Sequence, residues 1–513
     1  MIKFSINGQG LEVEPGTTII RAAEKIGIEI PRFCWHPSLS IAGNCRMCLV
    51  KIEKNPKLQP SCNTTAAEGM VVLTDTEEVR EAVRGVLEFI LINHPLDCPI
   101  CDQAGECWLQ NYYMQYGLYK SKFAERKVKK GKHIDMGRGI KLDQERCILC
   151  ARCVRFMQEI AKSEELAIFK RGNRVELNTF PGKGLQSPYS SNIVDICPVG
   201  ALTSVDFRFK CRAWFLSHTP SVCPGCANGC NVFIHHTKYQ SQDLSAKIYR
   251  ENMEVGKQVI IPHIQETVFR LMPRSNGNGK QAWMCDEGKL TYKHVNSESR
   301  LLLPLVREGE KLVSKTWAEA METLTVRISG ALGSSGGKSF GAIGSPWASN
   351  EENDALKKFS TLVLGSDRIA PLAGEMVKGF ADAFLMKEDR SPNRKGAENI
   401  LGASGWEGVV RESKVLIMID QDPYSRWKVP PALGEAAGKI GLFVVLGSNL
   451  TEAAKLAHIV LPIPTFAEQD GTFTNFNGKA QKFEKAFDPL GSALPVNEIL
   501  SRLSRRLGHS QHA

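Results

Sequence analysis

Fifteen of the sixteen cysteines, with one histidine, fall into four groups that succeed one another along the 513-residue chain without overlapping. The first group is Cys34, Cys45, Cys48 and Cys62; the second is His94, Cys98, Cys101 and Cys107. The third is Cys147, Cys150, Cys153 and Cys197, and the fourth Cys223, Cys226, Cys230 and Cys285. Four thiolate or imidazole ligands per group is what an iron–sulfur cluster takes from protein, and several one-electron centres in one chain imply a relay. A disulfide scaffold is disfavoured. The cysteines cluster in C-x2-C pairs before residue 286, and Met1-Ile2-Lys3-Phe4-Ser5-Ile6 reads as a strand rather than an export signal.

Each group carries its own signal. In the first, three cysteines near one another and a fourth farther on resemble the arrangement of plant-type [2Fe–2S] domains, but the first gap is ten residues rather than four. Four thiolates would also hold zinc, although the long CxxC-to-CxxC format of zinc sites is missing. Gly43 in the loop IAGNCRMC would let backbone amides turn toward the sulfurs. In the second group three thiols lack a fourth, and the neutral imidazole of His94 can complete the set. It would leave the cluster with one negative charge fewer and raise its reduction potential.

The third group is read against the bacterial ferredoxin repeat C-x2-C-x2-C-x3-C-P, in which each fourth cysteine serves the other motif's cluster. Here Cys147, Cys150 and Cys153 are followed by Met157 where the fourth cysteine would stand. The second run keeps only Cys197-Pro198, with Ser187, Ser190 and Ile193 at its other cysteine positions. A two-cluster ferredoxin that lost one cluster would leave this pattern, so Cys197 is expected to complete a single [4Fe–4S] site. The fourth group suits zinc or iron–sulfur. The remaining Cys211 is expected to be a buried thiol.

The elements that must position these residues are legible in outline. Ile2–Ile6, the turn Asn7-Gly8 and a return at Leu11-Glu12-Val13 predict a hairpin, and IIRAAEKI before Gly27 a short helix. Apolar residues at helical spacing predict a core-packed helix from about Thr76 to Asn93, placing His94 at its end. Beyond residue 300, Ser339–Gly344, Val415–Ile419 and Leu442–Leu446 predict buried parallel strands among helices such as 350–363 and 451–457. Gly330 to Gly337 (GALGSSGG) is expected to be a flexible junction.

Forty-two per cent hydrophobic and 23% charged residues describe an ordinary multidomain protein, and no apolar run approaches a bilayer span. The net charge is +10, with a local excess at Lys120 to His133 (KSKFAERKVKKGKH). Only Phe123 interrupts that run with an aromatic, so a solvated loop or a strip docking on an acidic partner is expected rather than nucleic-acid binding. A zinc-stabilised nucleic-acid or scaffold protein would rest on this strip alone. No G-x-G-x-x-G follows a strand, so a dinucleotide site is not expected, and electron relay calls for no general acid, base or nucleophile.

FCWHPSLSIAGNCRMC, NHPLDCPICDQAGECWLQ, CILCARCVRF and VDICPVGAL resemble the large iron–sulfur subunit of the peripheral arm of respiratory NADH–quinone oxidoreductase (complex I). From about residue 216, CPGC, AIGSPWASNEEN and AHIVLPIPTFAEQDGTFTNFNGKAQ resemble the molybdopterin oxidoreductases. The resemblance implies one [2Fe–2S] cluster in the first group and [4Fe–4S] clusters in the other three, with His94 a ligand and the fourth cluster off the main route. It implies a multidomain α+β and α/β fold. A β-grasp [2Fe–2S] domain would occupy 1–78, a helical domain with one histidine and three cysteine ligands 79–139, and a ferredoxin-like [4Fe–4S] domain 140–215. A four-cysteine [4Fe–4S] domain of molybdopterin-oxidoreductase type at 216–300 and a truncated α/β domain of that superfamily at 301–513 follow.

No molybdenum or pterin is expected, because Glu287 stands where the pterin enzymes usually carry lysine and no cysteine follows Cys285. The implied role is electron transfer from a flavin- and NADH-binding subunit toward quinone. The chain would work among other peripheral-arm subunits, on the cytoplasmic side of the inner membrane and without a membrane span of its own. The alternative is the diaphorase-side iron–sulfur subunit of an NAD-linked hydrogenase or formate dehydrogenase.

Overall fold

The computed structural model describes residues 1–117, 120–237, 267–275, 283–372, 374–402, 405–421 and 431–509. The described residues fall into two compact units, one ending at Phe215 and one beginning at Leu216.

In the first unit, strands β1 (Ile2–Ile6) and β2 (Gln9–Val13) pair in the register Ile2 to Val13. Asn7 (φ 49°) and Gly8 (φ 80°) turn between them, as a two-residue hairpin loop with positive φ at both positions requires. Strands β3 (Leu49–Ile52), β4 (Gln59–Pro60) and β5 (Val71–Leu73) extend the sheet to the order β2-β1-β5-β3-β4. Helix α1 (Ile19–Lys25) buries Ile19, Ile20, Ala22 and Ala23, and Gly27 beyond it takes φ 74°. Its core includes Ile6, Val13, Val50 and Val72, and also Trp35, Cys48 and Cys62. Two first-group cysteines are therefore fixed by the packing of the sheet itself.

Helix α2 (Glu77–Leu91) starts at Thr76, whose hydroxyl accepts from the Val79 amide at 3.2 Å, and buries Val79, Val83 and Leu87. Its C-terminal carbonyls at Leu91 and Ile92 accept from Lys127 Nζ at 2.6 and 3.0 Å. Lys127 belongs to the basic strip, and Lys122, Lys129 and Lys132 pair with carboxylates of the same chain. Much of the local positive excess is thus neutralised internally.

Helix α3 (Trp108–Tyr116) follows Cys107. Strands β6 (Ile134–Gly137) and β7 (Ile140–Leu142), helix α4 (Arg152–Glu159), the hairpin of β8 (Leu166–Phe169) and β9 (Glu176–Thr179), helix α5 (Asn192–Asp195) and strand β10 (Leu202–Ser204) complete the unit. Strand β7 pairs antiparallel with both β6 and β10, and α4 packs on α5.

The second unit opens with an antiparallel sheet of β11 (Leu216–Val222), β12 (Asn231–Thr237) and β13 (Val268–Pro273). Its larger sheet joins β14 (Leu305–Glu308), β15 (Lys311–Ser314), β16 (Phe340–Gly344), β17 (Ile369–Pro371), β18 (Val415–Asp420), β19 (Leu442–Gly447) and β20 (Ile459–Pro462) in the order β15-β14-β20-β19-β18-β16-β17. From β17 to β20 every neighbouring pair is parallel. Along β18, Val415, Ile417 and Ile419 face one hydrophobic core while Leu416 and Met418 face another. That two-sided burial explains an unbroken apolar run without alternation.

GALGSSGG is not a flexible junction. The helix Trp317–Ser335 runs through Gly330 and Gly333, with Ala331 and Leu332 packed on the core, and ends at Gly336 with φ 60°. Among the described residues no helix is long and apolar enough to cross a membrane.

Candidate metal centres

Cys147, Cys150, Cys153 and Cys197 line one cavity, together with Arg152, Leu149, Val199 and Leu202. The residue distant in sequence is thus brought to the other three by α5 and the turn before β10. Leu149 (φ 54°) and Ala151 (φ 59°) are left-handed, a conformation non-glycine residues rarely adopt. Interleaved with the ligand positions, they turn successive amides inward, forming the kind of nest that receives anions. The Leu149 amide reaches the Cys147 sulfur, the Arg152 amide that of Cys150, and the Val199, Leu202 and Ala201 amides that of Cys197. Burial pushes the Cys147 thiol up to about 12 and Cys150 to about 11. At neutral pH these sulfurs ionise only when a metal takes the proton's place. Ser187, Ser190 and Ile193, at the missing cysteine positions, are buried, and Ser190 Oγ donates to the Ser187 carbonyl at 2.8 Å.

His94, Cys98, Cys101 and Cys107 line a second cavity with Gln110, Arg146 and Gly200. His94 Nδ1 is buried with no hydrogen-bond partner. Burial, and then the charges of Arg146 and Lys127, lower His94 to about 4, so its imidazole is neutral and has a lone pair to give. An orphaned nitrogen beside three thiols is the donor chemistry an iron–sulfur centre with mixed ligands needs. Cys98 is exposed, whereas Cys101 and Cys107 are buried. Around the cavity Arg146 pairs with Asp97 at 2.9 Å and Asp143 at 3.3 Å, and Lys132 with Asp97, Asp143 and Glu145 at 2.9 to 3.0 Å.

The first group packs as two thiol pairs. Cys34 is lowered chiefly by its hydrogen bond with Cys45, and Cys48 by that with Cys62, while Cys45 and Cys62 are raised by the same bonds. Arg46 (φ 57°) and Gly43 (φ 63°) shape the loop between the pairs. The fourth group, Cys223, Cys226, Cys230 and Cys285, lines a cavity with Gly288, Phe380 and Arg390. A Cβ at Gly288 would stand 3.2 Å from both the Cys223 and Cys285 sulfurs. The Gly288 amide donates to Cys285 Sγ at 3.3 Å and Asn228 Nδ2 to Cys230 Sγ at 3.1 Å. Glu287 pairs with Arg390 at 2.7 Å, and the Arg390 guanidinium lies 3.7 Å from the Phe380 ring. Part of the chain between Cys230 and Cys285 lies outside the described residues. Among the described residues no three His, Cys, Asp or Glu side chains close on a single point as the ligands of one ion would.

Cys211 is half-buried rather than buried. Sequence reasoning also missed the groups that tie the sites together. A Cβ at Gly200, three residues after Cys197, would stand 2.2 Å from Cys101 Sγ, and the Trp108 amide donates to the Pro198 carbonyl at 3.0 Å. The third site therefore abuts the second. On its other side Asn44 Nδ2 donates to the Leu149 carbonyl at 3.3 Å, and Arg155 donates to the Cys34 and Ser40 carbonyls. The third set thus touches both of the others, and the Arg32 amide and Phe33 ring also meet Tyr112 on the helix that follows Cys107. An arginine inside CILCARCVRF was the one available signal.

Comparison with known proteins agrees with this geometry. Residues 1–77 match the model of a 2Fe-2S iron-sulfur cluster binding domain, and 84–122 that of the NADH-ubiquinone oxidoreductase-G iron-sulfur binding region. Residues 137–203 match the ferredoxin-like domain of NADH-quinone oxidoreductase subunit 3, and 397–506 match molybdopterin oxidoreductase. The G subunit of NADH-quinone oxidoreductase from Rickettsia felis is 41% identical over 329 residues, which are 64% of this chain and 45% of that one. Over that stretch the chain is similar to the G subunit. The protein of the same name from Streptomyces coelicolor is 37% identical over 372 residues, 72% of this chain and 40% of its own. The chain thus spans less than half the length of these relatives. A chain of an NAD+-reducing [NiFe]-hydrogenase, in the H2-reduced state, is 30% identical with a TM-score of 0.38, covering 41% of this chain and 90% of that one. The resemblance to the G subunit, the iron–sulfur character of the N-terminal segments and the molybdopterin-type character of the C-terminal segment all hold.

Proposed function

We propose that the chain is the iron–sulfur electron-transfer subunit of an NADH–quinone oxidoreductase, receiving electrons from a flavin-bearing partner and passing them toward quinone. The observation that carries this reading is the contiguity of three four-donor sets within one compact unit, the third in contact with both of the others. Bound iron–sulfur clusters would supply the one-electron couples. The sixteen donors from Cys34 to Cys285 would hold one [2Fe–2S] and three [4Fe–4S] clusters, about fourteen irons in all. The chain's own part is to hold those donors in buried pockets, aim amides at the sulfurs and press neighbouring loops together. The five-domain division at residues 78, 139, 215 and 300 belongs to the same reading, as does a C-terminal domain without molybdenum or pterin. So do peripheral attachment to a membrane through the complex, on its cytoplasmic side, and partnership with other peripheral-arm subunits.

The test is rapid-freeze paramagnetic resonance after mixing with NADH. The full chain alone should leave NADH unoxidised, since no strand is followed by a dinucleotide fingerprint. With the flavin subunit present its centres should become reduced, the Cys34–Cys62 set earliest. Centres that stay oxidised in the partnered complex remove the chain from the electron path.

His94→Cys should keep a four-iron centre in the second pocket but lower its midpoint potential. Thiolate adds a negative charge where the neutral imidazole of His94 now faces the cavity, and so disfavours the reduced state. Redox titration followed by paramagnetic resonance reads the shift. An unchanged potential with full iron content shows that His94 is no ligand.

A further inference from the structure

Arg152 is one of the largest fully buried side chains of the molecule. Its Nη2 donates to the Trp35 carbonyl at 2.7 Å and its Nη1 to the Ile196 carbonyl at 3.3 Å, while Nε is buried with no partner. The guanidinium lies 4.3 Å from the Trp108 ring centroid. These three anchors adjoin one ligand of each site: Trp35 follows Cys34, Ile196 precedes Cys197 and Trp108 follows Cys107. Arg152 itself lies between Cys150 and Cys153 and lines the cavity of the third set.

No carboxylate among the described residues pairs with it. The nearby Arg32 is different, with Glu24 at 2.7 Å. A buried guanidinium carries a heavy desolvation cost, which two carbonyls and a ring face offset in part and a neighbouring anion would offset further. The cavity that Arg152 lines is walled by the sulfur-bearing side chains of Cys147, Cys150, Cys153 and Cys197. Four thiolates around iron and sulfide carry net negative charge, and one more on reduction.

We propose that Arg152 is a positioning residue that sets the reduction potential of the third iron–sulfur centre, its fixed charge favouring the electron there over the two neighbouring sites. The inference rests on the iron–sulfur reading above. Its physical basis is that attraction between the guanidinium and the cluster grows when the cluster gains an electron, in a site from which water is excluded. Arg152 lines the cavity of the third set and reaches the other two loops only through the Trp35 carbonyl and the Trp108 ring, so its charge acts most strongly on the third site.

The test is a redox titration of the full-length chain, purified anaerobically, as wild type, Arg152→Gln and Arg152→Lys. Iron, sulfide and the wild-type resonance of the third centre are measured first; their absence defeats the iron–sulfur reading and not merely this proposal. In Arg152→Gln the reduction equilibrium of the third centre should fall about tenfold or more, a drop of about 59 mV for a one-electron couple. Arg152→Lys, which keeps the charge, should stay within about threefold of wild type, and the first and second centres should move less than the third. If Arg152→Gln loads no third cluster, a loaded Arg152→Lys at wild-type potential supports the charge. An unshifted Arg152→Gln, equal shifts in both variants, or loss of the cluster from both, overturns the proposal and leaves Arg152 a structural residue.

Discussion

Cys197→Ala should abolish the third centre and remove about four irons per chain, although 43 residues separate it from Cys153. Cys197 shares a cavity with Cys147, Cys150 and Cys153, and three amides converge on its sulfur. No other cysteine lines that cavity. Ser190→Ala, at a position where the ferredoxin repeat would carry a ligand, is the matched control. It removes one buried hydroxyl bonded to the Ser187 carbonyl and should cost about 1 kcal/mol of stability, with the cluster intact. Iron and sulfide analysis with paramagnetic resonance checks both variants. Retention of the centre in Cys197→Ala, or its loss in Ser190→Ala, contradicts the lost-second-cluster account.

The second unit should be most sensitive at Arg300. Its Nη2 meets both oxygens of Glu468 at 3.0 and 2.7 Å, and both side chains are 0% exposed. Arg300 also donates to the Ser448 and Val295 carbonyls, drawing the segment before β14 onto the loop after β19. Removing one partner leaves a charge buried without its counter-ion, so Arg300→Ala should destabilise by about 3–5 kcal/mol. The Thr465 and Leu490 amides that also reach Glu468 hold the loss within that range. Arg502→Ala, which breaks an exposed pair with Glu498 on the last helix, should cost less than about 1 kcal/mol. Denaturant unfolding of the two variants should show the contrast. Equal midpoints would mean that the buried pair adds nothing beyond a surface one.

What the sequence revealed and what it hid divide along physical lines. Residue spacing is local chemistry written directly in residue order, so the placing of Cys197 and of His94 each beside three cysteines could be read without coordinates. Core strands such as β18 were legible because burial on both faces leaves an uninterrupted apolar run. Gly330–Gly337 misled because glycine propensity is weak against tertiary packing, and Ala331 and Leu332 hold the helix on the core. The adjacency of the sites was invisible. It rests on a missing side chain at Gly200 and on carbonyl groups at Trp35 and Ile196, which no motif records. The carboxylate at Glu287 was noticed as a departure, but Arg390, its partner 103 residues away, had no signature.

The wall that Gly200 and Pro198 give to the second site has a consequence for how the protein is made. All four donors of that site are in the chain once residue 107 has been added, yet the pocket lacks one wall until residue 200 follows. The pockets of the second and third donor sets are both completed by the short segment 197–200, which supplies Cys197 to one and Gly200 to the other. By contrast, the strands whose core buries Cys48 and Cys62 of the first set are all present by residue 73.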